Sequence, residues 1–208
     1  MDLALGDLKV RVKASVVTLA GSPGAHSKST ALLACAEEML AAAGVHSMRV
    51  NVRDLSPDTL IGGDHKDKTL QTALSAVCNA DALIIATPIY KASYAGLLKV
   101  FLDLLPQDAL RGTVVLPLAS GGNLAHLLAM DYALNPVLRS LGAHHVLANV
   151  FATPNDIDSS EDLFTLSSHV TARLLDSVTS LTRLLDPVRD RRDLGVEGIL
   201  VCDPCMTG

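Results

Sequence analysis

The sequence contains no tryptophan, only three phenylalanines and only three tyrosines. Its core must therefore come from Leu, Val, Ile and Ala, and a flat ligand would find few aromatic faces to lie against. No apolar run reaches the roughly 20 residues that cross a bilayer, and the first thirteen residues mix charge with leucine instead of forming a signal peptide. A cytoplasmic protein with no membrane partner is expected. Lys and Arg number 17 against 22 Asp and Glu, giving a formal charge of -5 without any basic block. A nucleic-acid surface needs clustered cations, so none is expected. Four cysteines in 208 residues do not make a disulfide scaffold. Cys35 and Cys78 fall in helical segments and read as reduced core residues. Cys202 and Cys205 form a single CxxC pair, two of the four ligands that zinc takes, and read as part of an unstructured tail. No metal site is expected.

What is present is an alternation of short β-branched runs with longer segments of helical period, the pattern of repeated βαβ units around a parallel sheet. The strand candidates are 15–20 (SVVTLA), 47–52 (SMRVNV), 82–87 (ALIIAT), 113–119 (TVVLPLA) and 145–151 (HVLANVF). Several are apolar on both faces, as strands covered from both sides must be. Helix candidates lie at 29–43, 68–80, 94–104, 124–141 and 161–185. The third is apolar nearly all round, interrupted by Lys99 and Asp103, which suggests a subunit interface. This reading gives an α/β, doubly wound domain over 14–185, an N-terminal extension over 1–13 and a mobile C-terminal tail over 186–208.

In such a sheet ligands collect at the carboxyl edge, in the strand-to-helix loops. The first loop runs Gly21-Ser22-Pro23-Gly24-Ala25-His26-Ser27-Lys28-Ser29-Thr30 into a helix. Small residues, hydroxyls and a helix N-terminus together suit a phosphate. Ser27 stands where a Walker A loop has glycine before its lysine, Pro23 interrupts a GxGxxG pattern, and the third strand ends without a carboxylate for magnesium. A metal-free monophosphate fits best; the alternative is a capping turn with nothing bound. The second loop, Thr87-Pro88-Ile89-Tyr90-Lys91-Ala92-Ser93-Tyr94, brings two tyrosines to the same edge beside a fixed proline, although Tyr94 could simply pack in the core. The third, Ser120-Gly121-Gly122-Asn123, allows close approach of backbone N-H groups to a heterocycle, with His126 one turn further on as a packing or capping residue. A phosphate cradle, a ring-sized loop and a diglycine loop on one edge describe a mononucleotide with a flat base, and FMN meets that description. No nucleophile-base pair accompanies them, so the redox chemistry would belong to the flavin.

Three segments, LAGSP with SKST, ADALIIATPIYKASYAGLLKVFLDLLP, and LPLASGGNLAHLLAMDYALNPVL, resemble the NADPH-dependent FMN reductase family, specifically the reductase components of two-component alkanesulfonate monooxygenase systems. The resemblance covers about 16–152. It implies a flavodoxin-like five-stranded parallel sheet of order 2-1-3-4-5 with helices on both faces, NADPH as hydride donor, FMN as acceptor, and delivery of reduced FMN to a partner monooxygenase. By position, Ser22, Ser27, Ser29 and Thr30 would hold the phosphate, and Pro88, Ile89, Tyr90, Ser120, Gly121 and Gly122 would frame the isoalloxazine. Many family members carry arginine where this chain has Gly24, a departure that bears on phosphate affinity. Tyr132 matches a tyrosine that accompanies tetramer formation and flavin exchange in similar reductases, so a homo-oligomer, dimer or tetramer, is expected. Pro136 follows it by four residues and removes a helical hydrogen bond, so this helix should be irregular.

Overall fold

The computed structural model describes residues 14–160 and 163–193. The expected N-terminal extension and the Cys202 and Cys205 pair lie outside the described residues. Along the chain run β1 (Val16–Ala20), α1 (Lys28–Ala42), β2 (Ser47–Asn51), α2 (Pro57–Gly62), α3 (Lys68–Cys78), β3 (Ala82–Tyr90), β4 (Ser93–Tyr94), α4 (Gly96–Asp103), β5 (Val114–Ser120), α5 (Asn135–Ser140), β6 (His145–Val146), β7 (Val150–Ala152), β8 (Ile157–Ser160), β9 (Leu163–Leu166) and α6 (Ser168–Asp193).

Strand β1 pairs in parallel with both β2 and β3, β3 with β5, and β5 with β6 and β7. Counted as the five expected strands the order is 2-1-3-4-5, the flavodoxin-like winding. The fifth strand comes in two pieces, β6 and β7. The period of two sorts the strand residues between two cores. Val17, Leu19, Leu83, Ile85, Val115 and Ala119 pack with α3, α4 and α5 on one face. Val16, Ala20, Ala82, Ile84, Leu116 and Leu118 pack with α1 and α6 on the other. Covering on both faces is why β1, β3 and β5 read as nearly continuous apolar runs. Among the described residues no helix is long and apolar enough to cross a membrane.

Two helix expectations need correction. The segment expected to be one helix from 124 to 141 is a 3-10 turn at Leu124–Leu127, a π-helical turn at Met130–Leu134 and then α5. Pro136 has no N-H to give the Tyr132 carbonyl four residues back, and its ring crowds that carbonyl, so an α-helix cannot pass through. The last helix begins at Ser168 rather than 161 and continues past Leu185 to Asp193, because the preceding residues turn back as the antiparallel β8–β9 pair. Helix α4 keeps Leu98, Phe101 and Leu102 buried, while Leu97, Val100 and Leu104 on its outer side are only partly covered. Cys35 is a free thiol, and Cys35 and Cys78 are each half-buried. Burial, and secondarily Glu38, pushes the Cys35 thiol above its ordinary pKa, as befits an inert packing residue.

Candidate functional site

At the carboxyl edge the loops after β1, β3, β5 and β7 enclose a cavity of about 300 Å³. Ser22, Ser27, Pro88, Ile89, Tyr90, Ser120 and Gly121 line it, as the sequence places them. Ser29, Thr30, Gly122 and Tyr132 do not. Ser29 is fully buried behind the wall, joined to Ser27 by a hydroxyl-hydroxyl hydrogen bond of 2.8 Å. Thr30 lies one residue further along α1, Gly122 is exposed beside Gly121, and Tyr132 is 80% exposed on the π-helical turn. Gly24, His26, Lys28 and Pro154 complete the lining. Pro154 was missed although the edge rule could have found it: Thr153-Pro154 follows directly on the fifth strand.

Helix α1 enters the cavity with its N-terminus uncapped. The Ala31 N-H returns to the Ser27 carbonyl, but the Ser27 side chain makes no capping hydrogen bond. The first amides of a helix have no internal partner, and here no hydroxyl replaces one. Ser27 therefore does not act as a side-chain cap of α1. Ser22, 2% exposed, accepts from the Gly24 N-H at 3.2 Å, which folds the loop back over itself. Gly21 needs to be glycine for space: a Cβ there would lie 2.7 Å from the Leu98 Cβ.

The second wall is held by a tight hairpin. Tyr90 pairs with Ser93, so Lys91 and Ala92 form a two-residue turn with φ of 50° and 61°, a geometry usually given to Asn-Gly. Such residues cost of order 1–3 kcal/mol each. The turn leaves Tyr90 half-exposed at the cavity and sends Tyr94 inward, where it is 7% exposed. Burial, and then Asp103, raises the Tyr94 phenol above its ordinary pKa. Tyr94 is thus a core residue.

In the third loop, a Cβ on Gly121 would lie 2.8 Å from the Phe151 ring and 3.0 Å from the His126 Cβ. Gly121 is there to let the chain pass between those two side chains. The His126 Nδ1 beneath it is buried without a hydrogen-bond partner. The fourth wall is fixed by Asp156, which accepts from the Thr153 N-H and hydroxyl at 2.8 and 2.7 Å and from the Ser167 hydroxyl at 2.9 Å. The Thr153 hydroxyl, followed by its N-H, holds the Asp156 carboxyl below its ordinary pKa. A depressed carboxylate contributes stability above its unfolded pKa and loses it as pH falls through the folded value. Asp156→Asn should therefore lower the melting temperature at pH 7, with the gap to the native chain closing as pH falls below about 4. Thermal denaturation of both chains across pH would show this, and a gap independent of pH would refute it.

An uncapped helix N-terminus with buried serines suits a phosphate, and a cavity edged by proline, one tyrosine and a backbone turn suits a flat ring. The fold is flavodoxin-like, with its cavity at the carboxyl edge where such sheets bind ligands. Residues 14–158 match the NADPH-dependent FMN reductase family, and the chain belongs to that family, with FMN and a nicotinamide dinucleotide as its cofactors. It is 48% identical over 142 residues to an Escherichia coli FMN reductase (NADPH), covering 68% of this chain and 74% of the relative. It is 30% identical over 173 residues to the NADH-dependent FMN reductase SfnF of Pseudomonas putida, covering 81% and 93%. The apo crystal structure of an NADH:FMN oxidoreductase (EMOB) superposes with a TM-score of 0.73 at 39% identity, covering 90% of this chain and 92% of that one.

Proposed function

We propose that this protein moves hydride from NADPH to FMN and releases the reduced FMN to a flavin-dependent monooxygenase of the alkanesulfonate type. In this reading Ser22 and Ser27 hold the phosphate, with Ser29 fixing Ser27 and Thr30 adding to the first turn of α1. Pro88, Ile89, Tyr90, Ser120, Gly121 and Gly122 frame the ring. Bound FMN supplies the hydride acceptor; the chain positions it and keeps one ring face open to the nicotinamide. The observation that carries the reading is the uncapped α1 N-terminus sharing one cavity with Tyr90 and Gly121.

Release is supported by how little covers the ring. Among the described residues Tyr90 is the only Phe, Tyr or Trp that lines the cavity, and it is half-exposed. Oligomer formation is supported by Leu124, Leu128 and Tyr132, spaced by four along the irregular helix and 68%, 56% and 80% exposed. We propose that this stripe forms a dimer or tetramer contact and that Tyr132 takes part in flavin exchange there. The test is direct. The purified protein should be largely colourless, oxidise NADPH only when FMN is added, and pass reduced FMN into solution. Stoichiometric FMN retained through long dialysis, with quinone turnover in its absence from the buffer, would shift the function to a flavin-bound quinone or azo reductase or an electron carrier.

A further inference from the structure

Among the described residues Lys91 and Ala92 are the only non-glycine residues with positive φ; every other left-handed position is a glycine. The chain supplies glycine at its other left-handed turns and keeps two Cβ-bearing residues in that conformation side by side next to the cavity. A two-residue turn of this kind needs positive φ at both positions, and Asn-Gly adopts it at little cost. Lys-Ala does not, so the hairpin is strained where it meets the site. The strain falls on a weakly held element. Two residue pairs, Ile89 with Tyr94 and Tyr90 with Ser93, join β3 to β4, and so short a ladder is marginal by itself. Its base is anchored: Ile89 and Tyr94 are buried, and the buried Thr87 hydroxyl accepts from the Ala95 N-H at 3.0 Å and donates to the Pro88 carbonyl at 3.1 Å. Its tip is not. Tyr90, Lys91 and Ala92 are exposed, and Lys91 forms no ion pair among the described residues. Opening is therefore confined to the tip, and the tip carries Tyr90 into the cavity wall. A strained closed form competes less well with open ones, and a ligand whose binding wall is complete only part of the time is held less tightly by that fraction.

We propose that Lys91 and Ala92 are positioning residues that set how firmly Tyr90 holds the flavin ring: their strained turn keeps this wall loose, so that flavin leaves after reduction. This rests on the flavin site proposed above and adds what tunes its release.

The experiment compares the full native chain with two variants. Lys91→Asn combined with Ala92→Gly gives the turn the residues it favours, and Lys91→Gln removes the charge while leaving the strain. Flavin fluorescence titration gives FMN dissociation constants, and stopped-flow dilution gives dissociation rates. The double variant should bind FMN about 5- to 30-fold more tightly and release it more slowly by a similar factor. Its melting temperature without flavin should rise by about 2–8 °C. Ala92→Gly alone should fall between the double variant and native, and Lys91→Gln should match native within about twofold. An unchanged dissociation rate in the double variant, even with a higher melting temperature, would show the wall to be fully formed already and overturn the proposal. So would equal tightening by Lys91→Gln, which would assign the effect to charge. A native chain that binds no FMN would instead overturn the flavin site itself, and the tuning with it.

Discussion

Alanine at both Ser22 and Ser27 should weaken FMN binding by about 100- to 10,000-fold, because each hydrogen bond to a charged phosphate contributes about 1.5–3 kcal/mol and every 1.4 kcal/mol is a factor of ten. The two hydroxyls line the cavity from opposite ends of the first loop. Ser22 has its N-H donor from Gly24 already in place, so its oxygen is fixed before any ligand arrives. Ser27 is fixed by Ser29, which is itself out of reach of the cavity. Ser29→Ala alone should therefore cost less than about tenfold, since it loosens a ligand group without removing one. Flavin fluorescence titration measures all three values, and circular dichroism checks that the fold persists. A double variant with native FMN affinity would remove the phosphate cradle from this protein.

Gly121→Ala carries the next largest expectation. The added methyl must displace the tip of the Phe151 ring, which at 4% exposed is packed on all sides, and the His126 Cβ, which is fixed to the backbone. Overpacking of this kind costs about 1–3 kcal/mol, or roughly 2–12 °C in melting temperature for a chain of this size. The displaced turn also forms the cavity wall, so FMN affinity should fall with stability. Gly122→Ala is the internal control: its Cβ would meet nothing closer than 3.6 Å. Its melting temperature should stay within about 2 °C of native. Equal melting temperatures for the two variants would show that the turn adapts freely and that the first glycine is not a steric requirement.

Much of the site was legible in the sequence for a topological reason. A doubly wound sheet brings every strand-to-helix loop to one edge, so residues 66 positions apart, such as Ser22 and Pro88, can be assigned to one cavity from pattern alone. The composition of each loop then names its chemistry. What pattern could not separate is a residue that touches the cavity from one that braces it. Ser27 and Ser29 look alike as letters, and only their hydrogen bond and burial divide lining from support. Tyr90 and Tyr94 are likewise two tyrosines in one loop, and the Lys91-Ala92 turn sends them to opposite environments. Local propensity gives no warning of that turn, since neither residue favours positive φ.

The breaks in regular structure divide the same way. Pro136 announces an irregular helix from the sequence, because a missing N-H and a fixed ring act within one turn. The β8–β9 pair gave no such notice: its partners are short, and their pairing depends on Asp156 gathering Thr153 and Ser167 from both sides. By itself the sequence determined the winding, the two-sided apolar core and the loops that meet, since periodicity and strand order are encoded locally and repeat along the chain. Tertiary structure alone decided which hydroxyls face the cavity, that the first turn of α1 is left uncapped, and that Lys28 spans to Pro154, because each of these depends on contacts between residues far apart in the chain.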